Sequence, residues 1–77
     1  MDELDQYPYE IRQLTPDEGG GFLIQYTDFL YCMSDGETVE EAIINGRDAL
    51  AGTLSVLREQ GLPVPAPHSR AKGKDAA

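Results

Sequence analysis

Near its start the chain alternates apolar and polar residues with period two, twice, and then changes to spacings of three and four. In "YPYEIRQL" (7–14), Tyr7, Tyr9 and Ile11 fall on one side and Pro8, Glu10 and Arg12 on the other. That alternation predicts a half-buried strand, and Pro8 places it at a strand start or a sheet edge. "FLIQYT" (22–27) sets Phe22, Ile24 and Tyr26 against Leu23, Gln25 and Thr27, a second strand. The intervening "TPDEGGG" (15–21) is turn chemistry, with Pro16 presetting φ and glycines that tolerate positive φ. The two runs therefore read as an antiparallel hairpin. "DFLYCMS" (28–34), after a turn at Thr27-Asp28, is apolar enough for a third strand. Its register is not set by alternation, which leaves Leu23, Leu30 or Tyr31 for the sheet's second face.

The pattern then becomes helical. Across "TVEEAIINGRDALAGTLSVLREQG" (38–61), Val39, Ile43, Gly46, Leu50, Leu54 (or Thr53) and Leu57 recur three and four apart, flanked by Ala42, Ala49 and Val56. This is one apolar helix face, wide enough to cover a small sheet. Gly61 stands where a left-handed residue ends a helix, and "LPVPAP" cannot continue one. Gly46 falls on the apolar face, where a missing side chain lets the helix approach the sheet. The expected fold is α+β, a three-stranded antiparallel meander packed against one long helix. Residues 1–6 read as a frayed terminus, 7–67 as the domain and 68–77 as a disordered basic tail.

Composition narrows the class. The chain has 77 residues and a net charge of −8, enough for one small domain. Residues 1–67 hold 13 acids against Arg12, Arg47 and Arg58, whereas Arg70, Lys72 and Lys74 lie in the last ten residues. A body this acidic repels nucleic acid and draws in cationic surfaces; acidity also simply keeps small proteins soluble. One cysteine, Cys32, excludes an internal disulfide and fits a reducing cytosol. With no secretory signal and no apolar run approaching about 20 residues, a cytoplasmic protein outside the membrane is expected.

The densest chemistry is "SDGETVEEAI" (34–43), with Asp35, Glu37, Glu40 and Glu41. A structural account competes with a catalytic one. Asp35-Gly36 is a turn signal, and Thr38 with Glu41 has the spacing of a T-x-x-E capping box. Glu40 and Glu41 also suit the positive end of the helix dipole. A calcium loop fails, since Tyr31 would have to be its first ligand. A two-metal nuclease site would need Glu10, Asp28 and Asp35 to converge, which no spacing requires. Cys32 lies in an apolar run without a visible base, and His68 is alone in the tail. "GGG" (19–21) precedes a strand, not a helix, so it is no phosphate-binding turn. No enzyme, cofactor or metal site is expected.

The order of these residues resembles the HicB antitoxin family. The resemblance rests on Tyr7, Pro8, Gly20, Gly21, Phe22, Tyr26, Asp28, Cys32, Gly36, Thr38, Glu40, Glu41, Ala42, Ala49, Leu50, Gly61, Pro63, Pro65 and Pro67, over about residues 7–69. It implies a truncated ribonuclease H-like domain without catalytic carboxylates. The implied partner is a small basic HicA-like toxin, an mRNA-cleaving ribonuclease whose active site the antitoxin covers. "TDFLYC" departs from the family's "P-D-L-P-G-C", so the turn between strands two and three should differ. Many members continue into an operator-binding domain; the basic tail here is too short for one, so no operator-DNA domain is expected in this chain.

The expected function is thus that of a type II antitoxin occluding a HicA-like ribonuclease. The alternative is a solitary HicB-like module for protein interaction or self-association, as a homodimer or higher oligomer through an open first or third strand. The partner contacts expected are Asp28, Tyr31, Asp35 and Glu37, at the strand-to-helix end, with Tyr31 as the aromatic anchor.

Overall fold

The computed structural model describes residues 3–69. Strands β1 (Tyr9–Gln13), β2 (Phe22–Tyr26) and β3 (Met33–Gly36) form an antiparallel sheet in that order, and helix α1 (Val39–Glu59) packs on one face. This is the expected α+β meander. In β1–β2, Ile11 lies opposite Ile24, and in β2–β3, Ile24 lies opposite Ser34. Residues directly opposite share a face. Tyr9, Ile11, Ile24, Tyr26, Ser34 and Gly36 therefore face α1. Glu10, Arg12, Leu23, Gln25, Met33 and Asp35 make the other face.

The core forms between Ile24 and Tyr26 on the sheet and Ala42, Leu50 and Leu54 on the helix, closed at one end by Tyr7, Phe29 and Cys32. Gly46 has the role its position suggested. A Cβ there would lie 2.7 Å from Cγ2 of the fully buried Ile24, so only glycine admits the helix at this distance. Gly52 is on the exposed side, where a Cβ would meet no side chain within 4 Å; nothing in the structure explains it.

The helix ends follow their caps. Thr38 Oγ1 accepts the Glu41 N–H at 3.0 Å. At the other end Leu62 N–H reaches Leu57 O (2.9 Å), Gly61 N–H reaches Arg58 O (3.2 Å), and Gly61 has φ 67°. That pair of bonds is a Schellman motif, which glycine closes without strain.

Three expectations need correction. The third strand is Met33–Gly36, not 28–34, and Asp35-Gly36 lies within it instead of forming a turn. The apolar "DFL-C" run is a loop whose Asp28, Phe29 and Cys32 are buried. β3 itself carries small residues on its inner side because α1 starts against it. A Cβ on Gly36 would sit 2.5 Å from the Ala42 nitrogen. Second, the Glu41 carboxylate does not return to the Thr38 amide; it accepts the Glu37 N–H at 2.9 Å. The complete capping box stands elsewhere, at Thr15–Glu18, where each residue's side chain accepts the other's main-chain N–H. Third, Glu3–Gln6 form a 3-10 turn, with Asp5 paired to Arg47 and Glu3 to Arg58, where the sequence suggests a frayed end. Of the basic tail, residues 70–77 lie outside the described residues.

Candidate partner-binding surface

The two ends of the sheet carry different chemistry. At the end where β1 begins, the chain after α1 folds back over Tyr7. The Tyr7 hydroxyl donates to Pro65 O at 2.7 Å, and its ring lies 5.4 Å from that of Phe29. Val64 packs on the core, so the proline-rich stretch lies along the domain surface. Asp28, 1% exposed, accepts the His68 N–H at 2.8 Å through Oδ2. Burial, with a smaller contribution from Glu3, pushes the Tyr7 hydroxyl pKa up; burial also raises Tyr26 and the Cys32 thiol.

Between these buried anchors the loop closes on the sheet. Tyr26 N–H donates to Cys32 O at 2.9 Å. With Asp28, Phe29 and Cys32 turned inward, Leu30 and Tyr31 are forced out: they are 59% and 88% exposed, and Met33 beside them 42%. An aromatic that exposed contributes nothing to the fold by burial.

At the opposite end the Gly19–Gly21 turn, the end of β3 and the start of α1 line an open cleft of about 550 Å³. Asp35, Glu37 and Glu41 stand around it, with Asn45. Gly21 belongs to its floor because a Cβ there would press on Gly36 O at 2.5 Å. Glu41 is held by the Glu37 amide and Asp35's carbonyl by the Asn45 amide, at 2.8 Å. The carboxylates of Asp35, Glu37 and Glu40 are exposed and have no bond of this kind. Each arginine of the described residues is paired elsewhere: Arg12 with Glu18 at 3.2 Å, Arg47 with Asp5, Arg58 with Glu3. Among the described residues, Asp35, Glu37 and Glu40 are left without a cation of their own.

The structure thus divides the four sequence-predicted contact residues. Asp35 and Glu37 meet at the strand-to-helix end. Tyr31 does not; it lies in the loop beyond the far end of β3, so the four residues of that strand, roughly 13 Å of chain, stand between. Asp28 is inside, holding the loop that carries Tyr31. Sequence reading missed the Asp28–His68 and Tyr7–Pro65 ties, which join residues 40 and 58 positions apart and leave no local pattern. It also missed the Thr15–Glu18 box, although "TPDE" has the same T-x-x-E spacing as "TVEE". Among the described residues no three His, Cys, Asp or Glu side chains gather as a metal would require, and no helix is long and apolar enough to cross a membrane.

Neither the curated proteins nor the solved structures compared with the chain give a match. A family model does match, over residues 6–76, nearly the whole sequence, with all three strands and the helix inside it. The family it describes is the HicB-like antitoxins of bacterial toxin–antitoxin systems, and the chain belongs to it.

Proposed function

We propose that this antitoxin binds a small, basic, HicA-like ribonuclease toxin and covers its active site, performing no chemistry itself. The observation that carries the reading is the set of exposed, uncompensated acids at Asp35, Glu37 and Glu40, in a protein whose described arginines are all engaged elsewhere. Long-range attraction between this end and a cationic partner raises the association rate. Lifetime of the complex then comes from apolar contact, with Tyr31 as anchor beside Leu30 and Met33. The footprint runs along the β3 side from Tyr31 to Glu37. Asp28 acts behind it, by fixing the loop.

The test is co-expression with a small basic HicA-like ribonuclease. Co-purification and loss of that protein's RNA cleavage are expected. A folded chain that neither binds it nor slows cleavage would refute the assignment.

A further inference from the structure

The two edges of the sheet are not equivalent. Thr27 N–H to Pro8 O (3.3 Å) and Leu14 N–H to Gly21 O (2.8 Å) bracket the β1–β2 ladder. In an antiparallel pair the residues bonding inward alternate. Glu10 and Arg12 therefore turn their main-chain groups toward β2, and Tyr9, Ile11 and Gln13 turn theirs outward. Among the described residues that edge has no partner strand. On the opposite edge Tyr26 N–H to Cys32 O sets the parity, so Met33 and Asp35 face outward there. The Asn45 side chain already caps the Asp35 carbonyl. Such caps are how edges are kept from pairing. β1 has none.

The sequence of β1 indicates what would occupy its edge. Glu10 and Arg12 lie symmetrically about Ile11, on the face away from α1. Let a second β1 run antiparallel along the free edge with Ile11 opposite Ile11. Tyr9 then stands opposite Gln13, outward-bonding residues meet outward-bonding residues, and Glu10 stands opposite Arg12 twice. These charged pairs fall at the non-hydrogen-bonded positions, where side chains are closest, and opposite charges so placed are stabilising. The strand is complementary to its own two-fold copy, the condition for a closed, isologous contact.

We infer that the chain forms a two-fold dimer by antiparallel β1–β1 pairing, giving one continuous six-stranded sheet with both helices on the same face. The half-buried Ile11 gains its own copy as neighbour. Arg12 keeps Glu18, an exposed contact, and has donors to spare for Glu10 of the second copy. Both β3 sides, at the outer limits of the six strands, stay open. The dimer is therefore independent of whether the toxin reading holds.

Sedimentation velocity over a concentration series, at about 0.15 M salt to screen the two acidic bodies from each other, tests this. The wild-type chain should pass from monomer to dimer. E10R sets Arg opposite Arg and R12E sets Glu opposite Glu, and each should weaken the dimer roughly tenfold or more. E10R/R12E restores opposite charges and should recover it. Mixing the two single variants should give a heterodimer, which also shows that each has folded. A wild-type chain that stays monomeric throughout overturns the inference, as does a dimer indifferent to both single reversals.

Discussion

The strap-bound end and the acidic end of this sheet both carry carboxylates, yet they use them in opposite ways. Asp28 is inside, 40 residues from the main-chain N–H it accepts, and joins the β2–β3 loop to the segment after the helix. Asp35 and Glu37 sit on the surface, and no basic side chain among the described residues neutralises them. The difference teaches that counting acids in a small domain says little until each is placed. One kind specifies where the chain goes; the other kind sets the field around it. The proposal that the acidic end meets a partner rests on this separation, and the sharpest experiments exchange the two roles.

Asp28→Ala should have the largest effect on stability. It strips the His68 N–H of its acceptor and leaves a gap in a buried site. Bonds to charged groups contribute about 1.5–3 kcal/mol, and for a domain this small each kcal/mol moves Tm by roughly 4–8 °C. A fall of about 10 °C or more is expected by thermal unfolding. An unchanged Tm would mean the strap is decoration.

D35K/E37K should do the converse. Stability should fall by only about 1 kcal/mol or less: the main-chain bonds of both residues remain, and the cost is that of placing cations at the positive end of the α1 dipole. The rate of association with the proposed basic partner should drop by about tenfold or more, with a weaker salt dependence, because long-range attraction acts on encounter. Stopped-flow association at several ionic strengths measures both. If the rate is unmoved, the acidic end is not the face the partner meets. Tyr31→Ala, in the same assay, should instead speed dissociation, as loss of an aromatic anchor does.

How far the chain could be read before folding follows the same division. The strands β1 and β2, the helix, its Thr38 cap and the role of Gly46 were legible, because each depends on neighbours within a few positions or on a repeating face. β3 was not. Its inward residues, Ser34 and Gly36, are small because the helix crowds them, and its outward pair, Met33 and Asp35, mixes apolar with charged on an exposed side. That is a strand with no apolar alternation. The apolar run beside it looked like a strand because Phe29 and Cys32 are buried, but they are buried at the end of the core and not across it. Asp35 and Glu37 could be read as neighbours, since only Gly36 separates them in the chain. Their separation from Tyr31 and the burial of Asp28 depend on tertiary contacts that no local window contains.

Tyr7→Phe gives a smaller test of the strapped end. It removes the hydroxyl that bonds Pro65 O while keeping the ring against Phe29. A loss of about 1 kcal/mol is expected, the usual net value of such a bond. Backbone exchange should quicken around residues 62–66, with α1 unaffected. Equal loosening everywhere would mean the segment is not held separately.

The gentlest probe is pH, which should attack the two ends from opposite directions. Tyr7 and Tyr26, near the strapped end, have hydroxyl pKa values raised above 10.0, chiefly by burial. A raised folded value favours the protonated form, so their contribution is complete below about pH 10 and is lost as pH climbs through the folded value. Glu18, at the hairpin end, is lowered from 4.5, first by the Thr15 N–H and then by Arg12. Its contribution is present above the unfolded value and fades as pH falls through the folded one, and solvent exposure keeps it small. Denaturant midpoints for the wild type, Tyr7→Phe and Glu18→Gln across the pH range separate the two. Glu18→Gln should differ from the wild type near neutrality and converge with it in acid. Tyr7→Phe should differ near neutrality and converge in alkali. If either variant instead converges at the other limb, the group it removes is not the one that holds its end of the sheet.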